Sequence, residues 1–149
     1  RDIEMLGRLP LWMAGQDFDH GLGHGVGAYL SVHEGPQRLS QMSHVPLEPG
    51  MILSNEPGYY REGAFGIRIE NLLVVQEAPA LPGGDAHREM LDWRTLTLVP
   101  IDRRLIDVAA LSPEARDWLN AYHRDVAEKI GPRVSPVTKL WLDAATAPL

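Results

Sequence analysis

The stretch MILSNEPGYYREGAFGIRIENLLVV, residues 51–75, says most about the fold. Its first six residues are largely apolar and precede a Pro-Gly pair, a pattern that predicts a strand ending in a turn. Residues 66–75 are the clearest strand of the chain, because apolar side chains recur through them with few turn-forming residues. With a period of two, Ile67, Ile69 and Asn71 would share one face of that strand.

The segments on either side extend this strand-rich region. Residues 20–37 carry glycines at the alternate positions 21, 23, 25 and 27. Each glycine would cost a helix about 1 kcal/mol, so we expect an extended segment that another backbone approaches closely. Residues 26–32 and 94–100 predict two further strands, and residues 77–90 an exposed loop.

The last third of the chain changes to helical periodicity. Ser112 and Pro113 predict a helix start, Gly131-Pro132 predicts its end, and Ser135-Pro136 predicts a second start. Another helix end followed by a loop is predicted within residues 1–19. Strands followed by helices without regular alternation indicate an α+β architecture. The apolar faces of the two late helices comprise Ala115, Trp118, Leu119, Tyr122, Val126 and Ile130 on the first, and Val137, Leu140, Trp141, Ala144 and Ala145 on the second.

Composition and charge exclude several classes of protein. The 149 residues fit one domain, and a net charge of −6 without a basic stripe argues against nucleic acid or anionic membrane as a partner. No apolar run approaches the roughly 20 residues of a membrane-spanning helix. The absence of cysteine leaves only histidines and carboxylates as metal ligands. The chain starts at Arg1 without a signal-peptide pattern, so we expect it to continue something longer.

Histidines and glutamates gather in the strand-rich region. His20, His24 and His33 fall within 14 positions, and Glu56 and Glu70 lie on successive predicted strands. A carboxylate in an apolar strand requires a cation, a metal ion or hydrogen bonds as compensation. Imidazole nitrogen with carboxylate oxygen is the ligand set of Zn, Mn, Co or Fe in a site without sulfur. Metal binding by His24, Glu56 and Glu70 is one interpretation; in the other, Glu70 pairs with a neighbouring arginine and the histidines decorate a turn.

Three blocks of this region resemble one known family. HGLGHGVGAYLSVHEGP, PGMILSNEPGYY and GAFGIRIENLLVV resemble consecutive blocks of the Xaa-Pro aminopeptidases, which are pita-bread metallopeptidases. The separations of nine residues from His24 to His33 and of 14 from Glu56 to Glu70 agree with that family's pattern. PIDRRLID and WLDAATAPL resemble the tail of its longer, three-domain members. The resemblance implies the C-terminal half of a pita-bread fold, a curved antiparallel sheet over 1–100 with a helical extension over 101–149.

The resemblance also implies roles for the candidate residues. His24 matches the family's histidine metal ligand, Glu56 a ligand that also shuttles a proton, and Glu70 the carboxylate that bridges two metal ions. His20 and His33 match histidines that line the substrate site and help to stabilise the tetrahedral intermediate. The implied cofactor of the intact enzyme is a pair of divalent ions, manganese being the common case and zinc an alternative.

The implied reaction is peptide hydrolysis. Two ions about 3.5–4 Å apart can hold a hydroxide and polarise the scissile carbonyl, while Glu56 passes the proton of the water to the leaving nitrogen. Arg68 would assist by fixing the orientation of neighbouring carboxylates. The expected protein is a cytoplasmic, homodimeric aminopeptidase that releases the first residue from peptides with proline at the second position, without nucleic acid or membrane partners.

Two aspartate ligands of the family have no match before His20. The acids there are Asp2, Glu4, Asp17 and Asp19, and none lies in the expected strand context. We therefore expect a C-terminal fragment with three of five metal ligands. Such a fragment would bind metal weakly, if at all, and would be inactive or nearly so by itself.

Other interpretations stay open at this point. A prolidase-like or creatinase-like hydrolase would share the fold, although the long C-terminal extension favours the aminopeptidase branch. A non-catalytic binding module would keep the fold but typically lose the ligands, which are present here. A third interpretation treats the late helices as a surface that docks a second subunit through Trp118, Tyr122, Trp141 and Leu142.

Overall fold

The computed structural model describes residues 2–29, 31–85 and 87–149, in two compact units, Arg1–Thr97 and Leu98–Leu149. The described part of the first unit contains α1 (Glu4–Met13), β1 (Gly23–His24), β2 (Arg38–Leu39), β3 (Ile52–Asn55), β4 (Gly58–Arg61), β5 (Phe65–Arg68), β6 (Asn71–Glu77) and β7 (Leu91–Thr95). The second unit contains α2 (Pro113–Ile130) and α3 (Pro136–Ala145), with short 3-10 turns around them. The predicted α+β class is confirmed.

The described strands of the first unit form three antiparallel sheets, β1-β2, β3-β6-β7 and β4-β5. Leu53 of β3 lies opposite Leu73 of β6, and Val75 of β6 lies opposite Trp93 of β7. An isolated bridge between Gly25 and Leu53 ties the histidine-containing segment to β3. The core of the unit consists of Phe18, Leu22, Leu39, Leu53 and Val75, with Trp93 packed against it.

The single strand predicted over residues 66–75 is wrong. β5 ends at Arg68, which lies opposite Gly58, and β6 begins at Asn71, which lies opposite Asn55. The chain must break between the two strands because it changes partner there, and a period of two in the sequence does not reveal which partner each residue takes.

Two other predicted strands are shifted. The described residues of the segment 26–32 form no strand, and Leu30 lies outside the described residues. Strand pairing in this region occurs earlier in the chain, at β1, which pairs with β2. The last strand begins before the predicted residues 94–100, because its register opposite Leu73–Glu77 of β6 begins at Leu91. The exposed loop predicted over 77–90 is confirmed at its described positions from Pro79 onward, whereas Glu77 belongs to β6 and Ala78 is half-buried.

The helices of the second unit follow the predicted bounds. The hydroxyl of Ser112 accepts from the backbone N–H of Ala115 at 3.2 Å, and the hydroxyl of Ser135 accepts from Thr138 N–H at 3.2 Å, as N-caps do. None of the described helices has the length and apolar character required to cross a lipid bilayer. The core of this unit comprises Leu119, Tyr122, Val126 and Leu142.

The apolar face predicted for α3 is present but does not enter the core. Val137, Leu140 and Trp141 are 78%, 73% and 62% exposed, whereas Leu142, on another face, is 2% exposed. The buried face of α3 differs from the predicted one, because helical periodicity identifies an apolar stripe but does not say which surface covers it. The predicted docking surface changes accordingly, since Tyr122 and Leu142 are buried within the unit and only its two tryptophans remain exposed.

Candidate functional site

Close contact between the histidine-containing segment and β3 creates the site. A Cβ atom on Gly23 would lie 1.9 Å from the carbonyl oxygen of Ser54, so no other residue fits there without displacement. The backbone N–H of His24 donates to Ser54 Oγ at 3.0 Å, and the N–H of Glu56 donates to Leu22 O at 2.8 Å. The predicted close approach of another backbone is thereby confirmed.

The Glu56 carboxylate is the buried charge at the centre of this contact. The residue is 6% exposed, and its Oε1 accepts from Ser54 Oγ at 3.0 Å. Its Oε2 accepts from Arg68 Nη1 at 2.7 Å. A buried carboxylate requires such partners, and here each oxygen has a donor on a different strand. Glu56 is thus fixed with Oε1 turned toward His24, whose Nε2 lies 3.1 Å away.

The imidazole of His24 has a defined donor side and acceptor side. Its Nδ1 lies 2.9 Å from the carbonyl oxygen of Gly25, which can only accept, so Nδ1 carries a proton. In the neutral ring, Nε2 therefore directs its lone pair toward the Glu56 carboxylate.

This pair matches part of a metal site. Two acceptors so close together require a proton or a cation, and an imidazole whose second nitrogen donates to a backbone carbonyl is a common form of metal ligand. Two atoms bonded to one ion at roughly 2.1 Å can lie about 3 Å apart. His24 and Glu56 therefore fit one edge of a site built from nitrogen and oxygen ligands.

A directed chain of hydrogen bonds links Arg68 to His20. Arg68 Nε donates to the hydroxyl of Tyr60 at 2.8 Å, and that hydroxyl lies 2.7 Å from His20 Nε2. His20 Nδ1 lies 2.8 Å from the carbonyl oxygen of Gly21, so Nδ1 is the donor and Nε2 accepts from Tyr60 in the neutral ring. The contact with Tyr60, with smaller contributions from the Glu56 and Glu70 carboxylates, raises the pKa of Arg68.

The two histidines, the Glu56 carboxylate and the Arg68 guanidinium line one open cleft of about 490 Å³. His33 reaches it from the far end of the same segment, and its ring centroid lies 4.1 Å from that of His24. The cleft therefore combines imidazoles, a fixed carboxylate and a guanidinium, which suits proton transfer and the binding of a polar backbone. The predicted site residues that line it are His20, His24, His33, Glu56 and Arg68.

Glu70 lies apart from this group. It is exposed, follows the end of β5 and does not line the cleft. Within residues 2–29, 31–85 and 87–149, no three histidine, aspartate or glutamate side chains are close enough together to hold a metal ion. The ligand set of His24, Glu56 and Glu70 stays a prediction, and the structure brings only its first two members together.

Two acids of the N-terminal segment serve a different purpose. Glu4 Oε1 and Asp17 Oδ1 accept from the guanidinium of Arg8 at 2.8 and 2.7 Å. Both acids therefore serve as partners of Arg8, and neither lines the cleft.

Sequence reasoning missed two residues of the site. Ser54 is fully buried and connects the backbone of His24 to the Glu56 carboxylate. Tyr60 connects Arg68 to His20. Both lie inside the quoted block PGMILSNEPGYY, so the block pointed to their neighbourhood, but an alternating strand pattern does not distinguish a serine that binds a carboxylate from one that faces solvent.

Known proteins match this chain along nearly its whole length. The profile of metallopeptidase family M24 matches residues 1–77, and that of the C-terminal region of peptidase M24 matches residues 89–149. The chain is 48% identical over 152 residues to aminopeptidase P2 of Arabidopsis thaliana and 44% identical over 153 residues to a probable Xaa-Pro aminopeptidase P of Tuber melanosporum, in each case over 99% of its own length.

A solved structure agrees with the sequence matches. The X-prolyl aminopeptidase of Caenorhabditis elegans, described as a cytosolic enzyme with a di-nuclear active site, matches 99% of the chain with a TM-score of 0.87 and 38% identity. The chain spans 21% and 24% of the two sequence relatives and 24% of the solved chain. The resemblance of the three sequence blocks and the pita-bread architecture are confirmed. The chain belongs to metallopeptidase family M24.

Proposed function

We propose that the protein to which this chain contributes is a metal-dependent aminopeptidase that releases the first residue from peptides with proline at the second position. The observation that carries the proposal is the buried Glu56 carboxylate, which Ser54 and Arg68 fix at 3.1 Å from the acceptor nitrogen of His24. The relatives named aminopeptidase P, Xaa-Pro aminopeptidase P and X-prolyl aminopeptidase support the same substrate class.

The residues of the cleft account for the steps of such a reaction. His24 and Glu56 would hold the metal, with Glu70 as the proposed bridging ligand. When bound, the metal would supply Lewis-acid polarisation of the carbonyl and a hydroxide at neutral pH. Glu56 would accept the proton of the water and deliver it to the leaving nitrogen. That nitrogen is the imide of proline, which has no N–H, so recognition must rely on the ring, beside His33, rather than on a hydrogen bond.

The test is hydrolysis by the intact protein that contains this chain. We expect release of the first residue from a tripeptide with proline second, in the presence of Mn²⁺ or Zn²⁺, and no release from the same tripeptide with alanine second. Glu56→Gln should abolish release, because the amide cannot take a proton. The His87→Ala variant, altered in an exposed loop, should retain it. Cleavage that ignores the second residue would contradict the proposed specificity, and cleavage of dipeptides alone would favour a prolidase.

The 149-residue chain provides a separate test of metal binding. We propose that it binds one ion weakly through His24 and Glu56 and is catalytically inert, because two ligands cannot complete a coordination shell. The amplitude of the electron paramagnetic resonance signal of free Mn²⁺ measures binding. His24→Ala should restore the free-ion signal, and His87→Ala should not. Equal binding by both variants would show that the ion binds elsewhere.

We further propose that the intact protein is a cytoplasmic homodimer that associates through the exposed face of α3. Val137, Leu140 and Trp141 present adjacent apolar side chains there. In sedimentation equilibrium, Leu140→Glu should convert the dimer to monomer. Leu105→Glu, at a residue of similar exposure, should leave it dimeric. A wild-type protein that stays monomeric at high concentration would end this proposal.

A further inference from the structure

Arg8, on α1, lies outside the cleft but is the most completely bonded cation of its unit among the described residues. The residue is 7% exposed. Its guanidinium has five N–H donors, and all five are used. Nε and Nη2 donate to Glu4 Oε1 at 3.0 and 2.8 Å, and Nη1 donates to Asp17 Oδ1 at 2.7 Å. The remaining two donate to the carbonyl oxygens of Phe18 and His20.

These bonds hold the loop that enters the histidine-containing segment. Asp17 is itself fixed, because its Oδ2 accepts from Trp12 Nε1 at 2.7 Å and its Oδ1 accepts from the N–H of Phe18 at 2.8 Å. The backbone between Asp17 and His20 is therefore attached to α1 at several points. The last of these points is the carbonyl of His20 itself.

A second connection reaches the His20 ring. The guanidinium carbon of Arg8 lies 4.0 Å from the centre of the Phe18 ring, and the Phe18 ring lies 4.6 Å from that of His20. His20 also meets Tyr60 edge-on at 5.5 Å. The imidazole thus contacts the rings of both Phe18 and Tyr60, and its Nδ1 donor depends on the position of the backbone that Arg8 holds.

We propose that Arg8 is the positioning residue for His20: it fixes the backbone and ring that present His20 to the cleft, although it touches neither cleft nor substrate. The inference rests on the proposed function for its catalytic consequence, since His20 lines the cleft and the family resemblance implies that it lines the substrate site. Lysine cannot replace Arg8, because a single ammonium cannot reach two carboxylates and two carbonyls at once.

The first test measures the tautomer of His20 directly in the 149-residue chain, by long-range ¹H–¹⁵N NMR. We expect wild-type His20 to show a protonated Nδ1 and an acceptor Nε2. In Arg8→Lys, the two nitrogens of His20 should shift toward averaged values, while His24 and His123 keep their wild-type pattern. The matched control is Arg88→Lys, which alters an exposed pair with Asp85 in the same unit and should leave His20 unchanged. An unchanged His20 in Arg8→Lys overturns the proposal.

A second variant is used if Arg8→Lys does not fold. If His24 and His123 of Arg8→Lys show unfolded values, the double variant Glu4→Met with Arg8→Met replaces it, because removing both partners leaves no buried charge unpaired. The same averaging at His20 is expected there, and a wild-type pattern at His20 overturns the proposal.

The intact protein adds a kinetic measurement. Arg8→Lys should lower kcat by about 10- to 100-fold, because a group in the site that is misplaced by about 1 Å slows a reaction on that scale. KM should change much less. If wild-type intact protein releases no residue, the proposed function fails, and the NMR result still decides the role of Arg8. An unchanged kcat in an active protein overturns the positioning role.

Discussion

Gly23→Ala tests whether the contact between β1 and β3 builds the site. The added methyl group would lie 1.9 Å from the Ser54 carbonyl oxygen, and ordinary contact begins only at 3.4 Å. A shift of that size would break the hydrogen bonds from His24 N–H to Ser54 Oγ and from Glu56 N–H to Leu22 O. Each bond contributes about 0.5–1.5 kcal/mol, and overpacking costs about 1–3 kcal/mol. Together these terms predict that the free energy of unfolding falls by about 2–6 kcal/mol.

Urea unfolding followed by far-ultraviolet circular dichroism measures this change. Gly21→Ala is the matched control, because its added methyl group would meet nothing nearer than 3.7 Å. We expect that control to stay within about 0.5 kcal/mol of wild type. In Gly23→Ala, binding of Mn²⁺ should also weaken, since His24 moves away from Glu56. If the two alanine variants are equally stable, the reasoning about the close contact is wrong.

Further predictions concern the core and two titrating groups. Leu53→Ala, at a fully buried position, should lower the free energy of unfolding by about 2–5 kcal/mol, whereas Ile52→Ala, at a neighbouring residue that is 38% exposed, should cost clearly less. Burial, assisted by the charge of Arg103, lowers the pKa of His123. The stability that neutral His123 contributes should be complete above about pH 6.5. It should be lost as the pH falls from there through the folded-state pKa, because the unfolded chain binds the proton first. Urea unfolding of wild type and His123→Gln between pH 5 and 8 measures this, and an equal change of unfolding free energy with pH in both proteins would contradict it. The contact with Arg104 lowers the pKa of Asp102 to about 2, so NMR titration should find that carboxyl returning toward 3.8 in Arg104→Gln.

Local patterns predicted the elements of the second unit well. Ser112 and Ser135 are N-caps, and each is followed by a proline at the first helical position, so both helix starts depend on residues within one turn. The prediction that failed in this unit concerns which residues of α3 are buried, and burial depends on neighbours that are distant in the sequence. The exposed stripe of α3 has the same spacing as a buried one, and sequence periodicity contains no information about which neighbouring surface covers it.

Two candidate residues of the site could be picked out from the sequence, but the residues that hold them in place could not. His24 and Glu56 stand out because an imidazole among glycines and a carboxylate at a strand end are unusual. Arg8 and Ser54 do not stand out, because an arginine on a short helix and a serine in a strand are ordinary until the fold brings them to His20 and Glu56. The interruption of the predicted strand before Asn71 has the same origin, since it arises because β5 pairs with β4 whereas β6 pairs with β3 and β7.

The bond between His24 and Ser54 joins residues that are 30 positions apart, which links assembly of the site to the folding of the unit. Closing a loop of that length has an entropic cost before the contact returns any stability, so a chain in which β1 and β3 have not yet met has no site. A ligand that binds His24 and Glu56 together would then recognise the native state alone. By mass action it would raise the midpoint of unfolding in proportion to the logarithm of its concentration, and the midpoint would thus report occupancy of the cleft without any measurement of turnover.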